Sequence, residues 1–251
     1  MRRFVIFVSL LMAFTAGYGE DLQHLFQQAA AYYKANNFES AAKTYEKILQ
    51  EGYESASLYF NLGNAYYKKK DITSAIWYYE KARKLAPGDD DINFNLKLAN
   101  TKIVDKIESV PELFFYRWWK NIRDEYSPDG WAKICLVLTM LFFIFTALYL
   151  LLKKIIVRKI SFWVAFMVLL LAGLSFTFAH QSWKIRNNQK EAVIFNPAVN
   201  IKSSPDDNSV DIFVLHEGTK VTVTDNLGEW YRIMVANGSV GWVKADAMKI
   251  I

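Results

Sequence analysis

The side chains able to do chemistry are few and scattered. His24, His180 and His216 fall in three different regions, and Cys135 is the single cysteine. One thiol permits neither an intramolecular disulfide nor a cysteine-cluster metal site. No phosphate-cradling glycine loop, zinc-binding histidine pair or Gly-x-Ser-x-Gly elbow occurs. Carboxylates gather at Asp89–Asp91 and Asp206–Asp207, but in turn or helix-start surroundings where a solvated cap is the ordinary role. The pattern predicts no enzyme, no metal and no cofactor. It directs attention to aromatic, amide and lysine side chains, which bind rather than react.

Those side chains recur with a period. Residues 22–53 and 56–87 align at an offset of 34 with ten identities, among them "AYYK" at 31–34 and 65–68 and "YEK" at 45–47 and 79–81. A 34-residue period with two helices per unit resembles the tetratricopeptide repeat. The second unit has Tyr59, Leu62, Gly63, Tyr66, Ala75, Tyr79, Ala82 and Pro87 at that family's spacing. The first is looser, with Leu25, Gln28, Ala29, Tyr32, Ala41, Tyr45 and Ile48.

Helices are predicted over 21–35, 38–50, 55–69 and 72–85. A capping helix follows in "INFNLKLANTKIVDKI", where Ile92, Leu96, Ala99, Ile103 and Ile107 share one face. Two repeats and a cap fall short of the roughly three units such a stack needs. Support is therefore expected from self-association or from the segment that follows. By the resemblance, ligands bind in the groove lined by the first helix of each unit, at Phe26, Tyr33, Lys34, Phe60, Asn64, Tyr67 and Lys68. For Tyr33 and Tyr67, packing between repeats is an equal reading. The clamp that some family members use for a terminal carboxylate is incomplete: Asn64 fits it, but "DDDINFN" supplies no basic pair.

From Ala192 the period changes to two. "KVTVTD", "WYRIMV" and "VGWVKA" alternate apolar and polar residues and are separated by "NLGE" and "ANGS" turns. The order of "VNIKSSP", "LHEGTKV", "GEWYRIMV" and "NGSVGWV" resembles bacterial SH3 domains and implies an all-β SH3-like barrel. In that superfamily exposed aromatics contact peptides or cell-wall glycopeptide. Trp230 and Trp242 are the main candidates and Phe213 and Tyr231 the lesser ones. Core or semi-core packing within an apolar strand is the stronger reading for the two tryptophans.

Between these modules lie two long apolar runs, Ile134–Leu152 and Ile160–Ala179, without a charge. Each would reach about 28–30 Å as a helix, which matches a bilayer core. Neither shows the polar face of a soluble core helix. The N-terminus offers Met1-Arg2-Arg3 and then a short uncharged run, Phe4–Phe14, the layout of a secretory signal peptide with cleavage between Ala16 and Glu20. Such a peptide exports the chain, the first span returns it and the second takes it out again. Lys153, Lys154, Arg158 and Lys159 then face the cytoplasm, in agreement with the positive-inside rule. Ahead of the first span, "PELFFYRWWKNIRDEYSPDGW" crowds aromatics among cations, as an interfacial helix would, ending at the Ser127-Pro128-Asp129-Gly130 turn; packing against the repeat cap is the alternative. Its place beside a span argues against nucleic acid, as does the location of much of the +5 net charge next to apolar runs.

The expected fold class is a multidomain membrane protein with an all-α tetratricopeptide repeat domain, two transmembrane helices and an all-β SH3-like barrel. Its segments are a signal peptide (1–19), repeats with a capping helix (20–110), an aromatic interfacial linker (111–131) and a first span (132–152). A cytoplasmic loop (153–159), a second span (160–180), a linker (181–191) and the SH3-like domain (192–251) complete it. This order resembles the Bat aerotolerance family, in particular its BatE type. The resemblance implies membrane-anchored von Willebrand A-domain proteins as partners. The function expected is a non-enzymatic scaffold in the cytoplasmic membrane with both soluble domains on the periplasmic side. The alternative is an envelope sensor or cell-wall anchor whose SH3 domain binds peptidoglycan.

Overall fold

A computed structural model describes residues 21–108 and 110–251. The predicted signal peptide lies outside the described residues. The chain divides into two compact units. One takes in the chain up to Leu85, Asp90–Glu108 and Glu191–Ile251; the other takes in Ala86–Asp89 and Ser109–Lys190.

The first unit opens with four helices: α1 through residue 34, α2 (Phe38–Gln50), α3 (Ala56–Lys68) and α4 (Ile72–Leu85). The 34-residue period extends to the backbone. Asn36 and Lys70 both take the left-handed conformation, with φ of 59° and 67°. One residue later, the N–H of Asn37 bonds to the Tyr32 carbonyl and that of Asp71 to the Tyr66 carbonyl. Side chains of the same two residues cap the next helix through Ser40 N–H and Ser74 N–H. Ala41, Tyr45, Leu62, Ala75 and Tyr79 are buried, as the repeat pattern requires. Gly63 marks the crossing of α3 and α4, because a β-carbon there would lie 2.5 Å from the Tyr79 ring.

Helix α5 (Asp90–Asn100) buries Ile92, Leu96 and Ala99 but ends sooner than its apolar stripe suggests. Lys106 folds back and donates to the carbonyls of Asn100 and Thr101, satisfying the helix end. Ile103 and Ile107 therefore lie on a non-helical strap. Ile103 packs with α4 and α5, and Ile107 packs on the core of the β-domain.

Seven strands follow: β1 (Lys190–Ile194), β2 (Ala198–Lys202), β3 (Asp211–His216), β4 (Lys220–Leu227), β5 (Trp230–Met234), β6 (Val240–Lys244) and β7 (Met248–Ile250). They form one sheet in the order β3-β2-β6-β5-β4-β1-β7, which fits an SH3-like domain. Ile194, Ile201, Leu215, Val221, Ile233 and Val243 fill its core.

The second unit contains α6 (Phe114–Asp124), α7 (Pro128–Leu151) and α8 (Ile155–Asn188). Both α7 and α8 are long and apolar enough to cross a membrane, and they pair as a hairpin. Their bounds differ from those expected. Ser127 accepts from Gly130 N–H and Pro128 occupies the first turn, so the expected turn is the start of α7. The link between the long helices is only residues 152–154, because nothing in "IIVRK" opposes helix. Residues 181–188, expected as linker, continue α8 for the same reason. In α6, Phe114, Phe115, Tyr116 and Trp118 are exposed, whereas Trp119 and Trp131 pack on Phe178 of α8.

Candidate interaction surfaces

Which faces of the first unit are free depends on how its helical and β parts meet. Val193 and Ile251 share a buried cluster with Ala75, Ile76, Tyr79, Leu96 and Ala99. Around that apolar patch lies a polar rim. Asp105, on the strap, accepts from the main-chain N–H of His216 (2.8 Å) and the hydroxyl of Thr219 (2.6 Å), and its other oxygen lies 2.7 Å from His216 Nδ1. Glu80, almost wholly buried on α4, pairs with Arg83 (2.6 Å) and with Lys220 of β4 (3.0 Å). Lys220 also pairs with Glu191 (2.6 Å). Thr73 donates to Glu217, Trp77 Nε1 to the Ile250 carbonyl and Lys84 to the Ile251 carbonyl. Lys249 lies over the rings of Phe195 (4.1 Å) and Trp77 (5.6 Å).

Burial would raise the Asp105 carboxyl, but the Thr219 hydroxyl and the His216 main-chain and ring groups outweigh it and hold it below the usual range. Desolvation lowers the Lys81 ammonium, which lies over Trp77 (4.3 Å) and Tyr59 (5.1 Å). No local periodicity announces these groups, since their partners lie more than a hundred residues away in sequence. The one signal was the capping helix stripe, whose Ile103 and Ile107 flank Asp105.

The repeat groove is aromatic and amide-lined. Asn64 Oδ1 accepts from the Tyr79 hydroxyl (2.8 Å) and from Asn95 Nδ2 (2.8 Å), which ties α3 to α4 and α5. Phe60 and Tyr67 are half-buried against the cluster containing Tyr79. Phe26 meets Tyr45 edge-on at 5.3 Å and Tyr33 meets Phe38 at 5.2 Å, so both aromatics of the first repeat pack their own unit. Burial raises the Tyr33 phenol, and burial followed by the Tyr33 phenol raises Tyr45 to about 12. Lys34 and Lys68 remain exposed. A separate hollow of about 460 Å³ lies at the helix ends near Phe26, Ile48, Tyr53 and Leu58.

In the β-domain, strand register sorts the four aromatic candidates. Tyr231 faces Val243 and Phe213 faces Ile201, and both pack on the core. Trp230 lies opposite Lys244, and Arg232 opposite Trp242, on the other face. The two tryptophans are half-buried diagonal neighbours there. Phe213 and Tyr231 thus pack on the core, and Trp230 and Trp242 are semi-core residues of the opposite face. Lys244 lies over the Trp230 ring at 5.3 Å and pairs with Asp207 (2.6 Å), and Lys202 pairs with Asp211 (2.8 Å). Among the described residues, no three His, Cys, Asp or Glu side chains gather as a metal site would require.

Residues 26–90 match the family model of the tetratricopeptide repeat, and residues 197–249 match that of the bacterial SH3 domain. A search of curated proteins finds no match. The chain therefore carries a tetratricopeptide repeat region and a bacterial SH3 domain, and this pair suggests protein-interaction or peptidoglycan-binding roles.

Proposed function

We propose that the chain is a non-enzymatic scaffold of the cytoplasmic membrane, anchored by α7 and α8. It presents the repeat groove and the SH3 domain on the periplasmic side. The observation that carries this reading is the shared cluster joining Val193 and Ile251 to Ile76 and Leu96, which makes one presenting body from two recognition folds. A partner anchored in the same membrane meets that body at raised effective concentration. The Bat resemblance supplies the partner class, von Willebrand A-domain proteins, and an aerotolerance-type complex.

Two experiments test this. Reporter fusions at Asp89 and Asp225 should behave as exported, and one at Ile156 as cytoplasmic; reversed signs refute the location. Purification of the full chain in mild detergent should bring down membrane partners. Replacing exposed Lys34 and Lys68 with Glu should release them by reversing charge at the groove. Unchanged partners would refute the groove as the binding surface.

The outward pair Trp230 and Trp242 favours a second reading, peptidoglycan binding by the SH3 domain. Full chain that sediments with purified cell wall, and loses this after Trp230→Ala with Trp242→Ala, would support it over the scaffold.

A further inference from the structure

The tip of the α7–α8 hairpin holds a feature that the scaffold reading does not use. Tyr149, Ile155, Arg158, Lys159, Phe162 and Trp163 line a cavity of about 350 Å³. The Arg158 guanidinium lies 5.2 Å from the centre of the Tyr149 ring, and that ring lies 5.9 Å from Phe162. Lys153 and Lys154 occupy the link beside it. Between Asp129 and Glu191 the sequence contains no carboxylate at all. Four cations therefore share this end of the hairpin with no acidic residue on either helix near them.

We propose that this cavity binds the headgroup phosphate of an anionic phospholipid. A guanidinium held over an aromatic ring keeps its N–H edge free, and that edge matches two phosphate oxygens. Lys159 adds a second charge, and the exposed Ile155, Phe162 and Trp163 offer apolar surface to the acyl region of the same molecule. A free phosphate would meet the cations but leave that apolar wall unused, so the two-part lining favours a lipid. Aromatic side chains with a polar edge also favour the headgroup level of a bilayer. The inference rests on the reading that α7 and α8 span a membrane.

The test is native mass spectrometry of the full chain released from micelles containing equal phosphatidylglycerol and phosphatidylcholine. Retained phosphatidylglycerol should exceed phosphatidylcholine. Arg158→Gln with Lys159→Gln should reduce that preference by about fivefold for each cation removed. Lys184→Gln with Arg186→Gln removes the same charge from the other end of α8 and should leave the preference intact. Equal retention of the two lipids, or equal loss in both double variants, overturns the site. So does an adduct of inorganic phosphate that displaces the lipid. Carbonate extraction of membranes separates the two levels of failure. A chain stripped from the membrane refutes the spanning reading and the lipid site together, whereas a retained chain without lipid preference refutes the site alone.

Discussion

Asp105 takes hydrogen bonds from one short loop of the β-domain, on both of its oxygens. That loop is shaped for it: Gly218 has φ of 85°, and a β-carbon there would lie 2.4 Å from Ile103 Cγ2. Charge-assisted bonds to a mostly buried carboxylate contribute more than neutral ones. Asp105→Asn should therefore cost about 2 kcal/mol at pH 7, read from denaturant unfolding of the full chain in detergent. The pH dependence follows from the direction of the shift. The folded carboxyl titrates below its ordinary value, so its contribution is complete above about pH 5. It falls away as pH drops through the ordinary Asp value and then the lower folded one. The gap between native protein and variant should narrow as pH falls below the ordinary Asp value and close below the folded one. A gap that stays open would show that shape, and not charge, makes Asp105 matter.

At the scale of elements, legibility followed the range of the interactions. Helices α2, α3 and α4 lie within a residue of their expected bounds, since a repeat states each cap and each buried small residue twice. Gly63 against Tyr79 and Asn37 at the helix start are examples. The hairpin strands β4, β5 and β6 were equally plain, because alternation and turn residues are local signals. Local pattern misleads where a choice depends on distant groups. The stripe from Ile92 to Ile107 is continuous in sequence, yet Lys106 ends the helix and the last two isoleucines serve other partners. Charged ends of the long helices looked like loops because hydropathy marks the edge of an apolar run, not the end of a helix. The placing of the aromatic candidates likewise depends on more than local pattern. Whether Trp230 or Tyr231 faces inward is a matter of register, and a one-residue difference in phase exchanges the two faces.

At the scale of the whole molecule, the repeat region is short of the units that usually stabilise such a stack, and the β-domain supplies the missing contact. Val193 and Ile251 cover Ile76 and Leu96 in one buried cluster. Lys220 also neutralises Glu80, a carboxylate that would be costly to leave buried without a partner. If the two folds are one cooperative body, damage inside one must be felt inside the other. Ile233 lies wholly within the β core and is not part of the cluster that Val193 and Ile251 share with the helices. Ile233→Ala should cost about 2–5 kcal/mol by leaving a cavity. Hydrogen exchange of the full chain should then show faster exchange not only in β4 and β5 but also in α4 and α5, around Ile76, Tyr79 and Leu96. The hairpin helices α7 and α8 belong to the other unit and should keep their protection. Unchanged protection in α4 and α5 would mean that the seam is a contact between independent modules. The repeats would then have to draw their stability from elsewhere, and the single presenting body behind the scaffold reading would be lost.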